Sequence, residues 1–460
     1  MRLRDGTLIA IVAAAVALAG ARNYAGSWND GSHLAAAESL VDRGTFIIDE
    51  SIFVTAPEAH SPYPPSDEVL ARGGTRDRVY VNGHFYSDKP PVVSLLLAGI
   101  YAVLQRGFGL HAAADPQRFC RWLTLGSSGV AYVIAVWSIH AIGVRLGLSR
   151  RRRVALAASF AASTLALAYS RTVNQHELLL AVASLLFLVL SRISASPSSA
   201  RGTWLAAGAL AGLAYALDLG AGPLLCAFAL GLLWYRARRI GPVVLFILAA
   251  APPIALHHGI TWAIGGTLRP LNSVPAFLQW PGSPFDVSNA TGVLHHSLGS
   301  FIVYAAAVLF GKRGFVLHNL PLLLLVPGIA AVWRRKTTER PEIAAALCWC
   351  LGTWLVYSLF SNNYSGGAVS VRWFVPLLAP AYVMLAVLLR EERERAGEFA
   401  FLSGVGALLA AVAWWRGPWT LNMLPLYWPI VATGLVGWIA LRRRVNGRIA
   451  ADHGDRNFAS

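Results

Sequence analysis

A net charge of +16 on 460 residues would suggest a nucleic-acid partner in a soluble protein, but 56% of this chain is hydrophobic and only 13% is charged. Its apolar stretches run to roughly 15–25 residues, the length that crosses a hydrocarbon core of roughly 30 Å, so the chain reads as an all-α polytopic membrane protein with no nucleic-acid partner. Basic residues sit in short clusters beside those stretches, which is the positive-inside pattern and accounts for the charge.

In chain order, twelve transmembrane helices are predicted, at about 7–22, 119–143, 153–170, 176–192, 203–217, 220–235, 240–264, 315–333, 342–361, 371–389, 398–415 and 420–441. The first follows Met1-Arg2-Leu3-Arg4 and is read as a span, because no clean small-residue cleavage site follows it as one would follow a signal peptide. With these twelve crossing, Arg145 with Arg150 to Arg153, Arg192 with Arg201, and Arg236 with Arg238 and Arg239 fall on one side. Arg334 to Lys336 with Arg340, Arg390 with Arg393 and Arg395, and Arg442 to Arg444 join them, and the main exception is Lys312 with Arg313. Two more apolar segments, 91–104 and 300–310, would put the clusters between them on the wrong side if they crossed, so they are expected to lie on or dip into the outer face.

The domain reading is a single transmembrane domain over 1–445, with a first outer loop at about 23–118, a second at about 265–314, and a short polar cytoplasmic tail at 446–460. Both termini are expected in the cytoplasm and the chain in the inner (plasma) membrane. The first loop holds eleven of the twenty-three acidic residues, and ionisable groups gathered at a membrane edge mark a site. Cys120, Cys226, Cys348 and Cys350 lie in or beside apolar stretches and imply neither a disulfide framework nor a zinc site.

Three motifs stand at that edge. Asn29-Asp30-Gly31-Ser32-His33 begins a short helix with Leu34, Ala37, Leu40 and Val41 on one side and Gly44 as its stop; Asp30 or Ser32 caps that helix, or Asp30 serves as a general base or metal ligand. Gly83-His84-Phe85-Tyr86-Ser87-Asp88-Lys89-Pro90-Pro91 leads into the apolar segment, and its lysine is one of only three in the chain. Lys89 either snorkels beside a helix start or meets a lipid phosphate. Asn362 to Gly367, followed by Arg372-Trp373-Phe374, is a Gly-rich turn whose arginine binds a phosphate or anchors the next span. Arg171, Asn174, His176 and Glu177 share another turn, and the pairs His257-His258 and His295-His296 are pocket polarity at best, since adjacent histidines diverge on a helix. No nucleotide-binding loop, serine-hydrolase elbow or zinc-protease motif occurs.

Taken together, Asp30 with the helix Leu34 to Leu40, Asp88-Lys89-Pro90-Pro91, Phe119-Cys120-Arg121-Trp122-Leu123, Tyr364-Ser365-Gly366-Gly367 and Arg372-Trp373-Phe374-Val375-Pro376 resemble the C-type polyprenyl-phosphate-dependent glycosyltransferases, in the protein O-mannosyltransferase and lipid A aminoarabinose transferase branch. The resemblance implies that Asp30 is the catalytic carboxylate and that Lys89, with Arg372 and His33, binds the donor phosphate. Asp88, His84, Tyr86, Arg121 and Tyr364 are the further pocket candidates. The sequence departs from the pattern at Gly31, where an acidic residue often follows the aspartate, and at His33, where an arginine is common.

The expected activity is inverting transfer of a sugar from a polyprenyl-phosphate donor to an outer-face protein, lipid or glycan acceptor. No cofactor is certain and a divalent metal stays open. The alternatives are a lipid-linked sugar flippase or transporter, against which stand the lack of an internal repeat and the edge position of the polar groups, and a glycan ligase or polymerase.

Overall fold

A computed structural model describes residues 2–195, 200–285, 295–334, 337–420 and 422–458, with 2–4, 331 and 445–458 given by backbone alone. The chain is a helical bundle: among the described residues, eight helices are long and apolar enough to cross a membrane, and three shorter apolar helices accompany them. Helix α1 (Arg2–Gly20) is followed by the loop region, and the helices after it run from Pro116 to Phe458. Two expected spans are interrupted. The segment expected at 153–170 is split into Arg150–Ala162 and Ala166–Tyr169, with Asn319 Oδ1 accepting from Leu165 N at 2.9 Å in the break. The one expected at 315–333 is divided by a 3-10 turn over Leu320–Leu324 that contains Pro321, a residue with no N–H for an α-helical bond. The last helix begins at Tyr427 and continues by backbone through Phe458, so most of the expected tail extends it. Ser198, part of the second loop (286–294) and the cluster members Arg335 and Lys336 lie outside the described residues.

The basic clusters collect at one end of the bundle. Asp5, at the start of α1, accepts from Arg150 and Arg153; Arg236 meets Glu342; Arg390 meets Glu339; and Arg152 reaches the Leu389 carbonyl. Two helices in the bundle pack backbone against backbone. A Cβ on Gly208 or Gly212 of Arg201–Leu217 would lie 2.1 or 2.3 Å from the Phe246 or Ala250 carbonyl of Ile240–Gly265, a small-residue seam of the kind that lets membrane helices approach closely.

The opposite end holds the loop after α1. There helix α2 (Trp28–Asp42) is buried on every side from Asn29 to Ser39, not along the single face its apolar residues suggested. Its N-cap is Ser27, whose hydroxyl accepts from the N–H groups of Asn29 and Asp30, so neither Asp30 nor Ser32 is the cap. A hairpin of β1 (Arg78–Val81) and β2 (His84–Ser87) turns at Asn82-Gly83, both with positive φ. Asn-Gly between β-prone runs is the strongest short hairpin signal. The helix Pro91–Phe108 then runs alongside α2 in the same direction. Ser32 bonds Ser87 and Asp88 at one end, and Asp42 accepts from the Tyr101 hydroxyl at the other. Tyr101 also meets Phe119 edge-on at 4.7 Å, which ties this helix to the first turn of Pro116–Thr124.

Candidate active site

Asp30 lies in the first turn of α2 and is 1% exposed. Its Oδ2 accepts from Gly26 N at 2.8 Å and from Trp419 Nε1 at 3.2 Å, and its Oδ1 accepts from the Ser27 hydroxyl. Burial pushes this carboxyl up to about 6, partly offset by those donors. A carboxylate has about four lone-pair sites, so these three donors leave one on Oδ1 for an incoming hydroxyl.

Lys89 is not a free ammonium. Its Nζ donates to Asp77 Oδ2 at 2.7 Å and Asp88 Oδ2 at 2.9 Å, and its side chain is only 8% exposed. Burial opposes the charge, but the two carboxylates outweigh it and hold the ammonium above its ordinary range. Burial raises Asp88 even beside Lys89, and Ser32 donates to its Oδ1 at 3.1 Å. Of the three ammonium N–H groups, two are thus committed.

Arg372 opens a 3-10 turn, and its backbone N–H donates to the Ser365 hydroxyl at 3.1 Å. The guanidinium carbon is 5.3 Å from the centre of the Trp419 ring, while Nε is buried with no hydrogen-bond partner. Its charge acts on Lys89 and on His33, which places the three in one neighbourhood. His33 Nε2 donates to Gln175 Oε1 at 2.9 Å, and its Nδ1, the lone-pair nitrogen of the neutral ring, is buried and unpartnered. Burial, then the neighbouring Lys89, keeps this imidazole neutral, well below its usual range.

The structure therefore brings Asp30, His33, Asp88, Lys89 and Arg372 together. The other four candidates lie elsewhere. His84 and Tyr86 alternate with Phe85 and Ser87 along β2, and since Ser87 turns toward Ser32, those two face away. His84 is bonded to Asp49 in solvent, and Tyr86 packs against the small cluster of Val79, Val81, Leu271 and Leu278. Arg121 lies on the exposed side of its helix and reaches the Leu18 carbonyl. Tyr364 has φ of 53° and packs its ring on Tyr304, at 4.8 Å.

Sequence reading missed Asp77 and Trp419. It also left His176 in a weak class, whereas its Nδ1 lies 3.0 Å from the buried Asp218, which accepts from Tyr357 at 2.7 Å. Among the described residues, no three or more His, Cys, Asp or Glu side chains gather as a metal cage. At Gly31 the departure from the family pattern has a spatial reason. A Cβ there would sit 2.5 Å from the Tyr63 hydroxyl, so tyrosine occupies the space of a side chain.

The fold is shared with solved polytopic membrane proteins. The apo structure of ArnT from Cupriavidus metallidurans superposes with a TM-score of 0.52 at 15% identity, over 95% of this chain and 72% of that one. Its undecaprenyl phosphate complex gives 0.50 at 15% identity, over 96% and 78%. The oligosaccharyltransferase of Archaeoglobus fulgidus gives 0.47 at 13% identity, over 94% and 56%. No protein-family model and no curated protein matches the chain.

Proposed function

We propose that this protein is an inverting glycosyltransferase that moves a sugar from a polyprenyl phosphate to an acceptor on the outer face of the inner membrane, with both termini in the cytoplasm. The observation that carries the reading is a buried, hydrogen-bonded carboxylate, Asp30, joined through the Trp419 ring to Arg372, whose charge also acts on Lys89, in a fold shared with an enzyme captured on undecaprenyl phosphate. The edge position supports enzyme over flippase, because the cluster lies at the loop end of the bundle and not in mid-span.

In this scheme Asp30 takes the proton of the acceptor hydroxyl as its oxygen bonds the anomeric carbon. The bond from that carbon to the phosphate oxygen breaks, and the lipid phosphate leaves with the electron pair. Arg372 Nε and the remaining Lys89 N–H face the departing charge, where fixed donors stabilise a transition state most. The pairing of Lys89 with Asp77 and Asp88 holds its position and tempers its charge, which makes Arg372 the principal phosphate cation. Asp77 and Asp88 are thereby engaged with Lys89.

The outer-face placement of Pro91–Phe108 draws support from its attachments. Although it is long enough to cross, its two ends are fixed to the two ends of α2, itself wholly within the loop. The test of the function incubates membranes with labelled polyprenyl-phosphate sugars. Label should move to acceptor with the wild type and stop with Asp30→Asn, which still binds polyprenyl phosphate. Wild-type transfer by that variant would remove Asp30 as base.

A further inference from the structure

We propose that Trp419 is a positioning residue that sets the two halves of the site against each other, its indole N–H orienting the Asp30 carboxylate and its ring face supporting the Arg372 guanidinium. The inference rests on the transfer reading above and adds to it a residue that contacts neither sugar nor acceptor.

Two separate contacts carry it. The indole Nε1 donates to Asp30 Oδ2 at 3.2 Å across 389 positions of sequence. The same ring lies 5.3 Å from the Arg372 guanidinium carbon, in reach of a cation–π attraction. The surroundings fix the ring. A Cβ on Gly26 would come within 2.9 Å of Trp419 Cδ1, so the chain beside Asp30 is shaped around the indole. Val369 N donates to the Pro418 carbonyl at 2.8 Å and Thr420 N to that of Gly367 at 3.1 Å, which binds the tryptophan turn to the turn that leads to Arg372. Tyr169 meets the ring edge-on at 6.1 Å. Behind it, Arg171 and Arg22 both donate to the Trp415 carbonyl, at 3.3 Å each, and Arg171 also holds the Gly20 carbonyl at the end of α1. The last loop is thus pinned to the end of the first helix, four positions before the tryptophan.

The two contacts separate by substitution. Trp419→Phe keeps a ring in the same space and deletes the N–H. An anion that loses one of three donors ionises at higher pH, because hydrogen bonds to the charged form favour it. The other titratable groups facing Asp30 are Tyr63 and Cys120, from the segment after α2 and from Pro116–Thr124, and the substitution leaves both in place. Trp419→Leu deletes ring and N–H together.

The experiment reads Asp30 without turnover. In the purified full-length protein, the carboxylic-acid C=O infrared band that Asp30→Asn removes is followed against pH. The midpoint lies near 6 in wild type and should move up by roughly one unit in Trp419→Phe. An unmoved midpoint overturns the proposal. Undecaprenyl phosphate is titrated in parallel. Trp419→Phe should bind within about twofold of wild type and Trp419→Leu about tenfold weaker; equal binding by the leucine variant removes the Arg372 half. If that variant does not fold, Trp419→Met, similar in reach and without a π face, replaces it. The transfer reading fails by a different result: a shifted midpoint with no sugar moved by the wild type from any donor retains the positioning role and rejects glycosyl transfer.

Discussion

Asp30 shows how one carboxylate acquires two properties from its place at a helix start. Three donors hold it, yet burial raises it to about 6, so it is ionised at neutral pH and still basic enough to accept a proton. The pH dependence follows with a definite sign. A general base must be deprotonated, and the protonated fraction grows as pH falls, so turnover should drop about tenfold per unit below the limb near 6. A rate profile flat from pH 7 down to 5 would remove the role. Lys89 makes the contrasting case. Removing one member of a buried ion pair leaves the partner charge uncompensated, at a cost of about 3–5 kcal/mol. Lys89→Met strands both Asp77 and Asp88, and thermal or denaturant unfolding should show a loss of that order, part of which Lys89→Met with Asp77→Asn regains. If the single variant unfolds like wild type, the triad is not a structural unit. Asp30, Lys89 and Arg372 could be singled out because each is an ionisable group beside an apolar stretch. Asp77 and Trp419 were not: a tryptophan at a membrane edge is expected as an anchor in any case, and its meeting with Asp30 depends on how the last loop folds back over the first.

At the scale of elements, the loop works as a clamp on α2. The hairpin, the helix Pro91–Phe108 and the stretch holding Tyr63 and Thr75 all lie against a helix buried from Asn29 to Ser39. Thr75 Oγ1 donates to the Trp28 carbonyl at 2.6 Å, and the Tyr63 hydroxyl, which donates to the Phe53 carbonyl at 2.6 Å, fills the space above Gly31. Gly31→Asp, which would restore the acidic residue common in the resembling family, therefore has no room. It should lower stability by about 1–3 kcal/mol through overpacking, and Tyr63→Phe in the same chain should recover part of the loss by removing the hydroxyl. Equal unfolding midpoints for Gly31→Asp and wild type would mean that the loop yields freely at this point. The helices were readable from their apolar lengths. The hairpin was overlooked although Asn82-Gly83 announces it, because an all-α reading gave no reason to look for a two-stranded unit between spans.

The whole molecule is polarised. Charges at one end are matched within the protein, Asp5 with Arg150 and Arg153, Glu342 with Arg236, Glu339 with Arg390, while the other end keeps Arg372 Nε and His33 Nδ1 buried and unpartnered. A buried donor left unsatisfied, as Arg372 Nε is, carries a cost that a ligand can repay. The arginine clusters read as one side of the bilayer in the sequence because positive charge near short loops resists translocation. Which end faces outward is decided by labelling. In a variant whose four cysteines are replaced by alanine, single cysteines at Ser66 and Ser149, both exposed and at opposite ends, should react differently with a membrane-impermeant maleimide. Ser66→Cys should label in intact cells and Ser149→Cys only after permeabilisation. The reverse pattern would turn the binding end toward the cytoplasm, and the donor lipid would then have to be engaged on the face where it is made instead of the face where the acceptor is glycosylated.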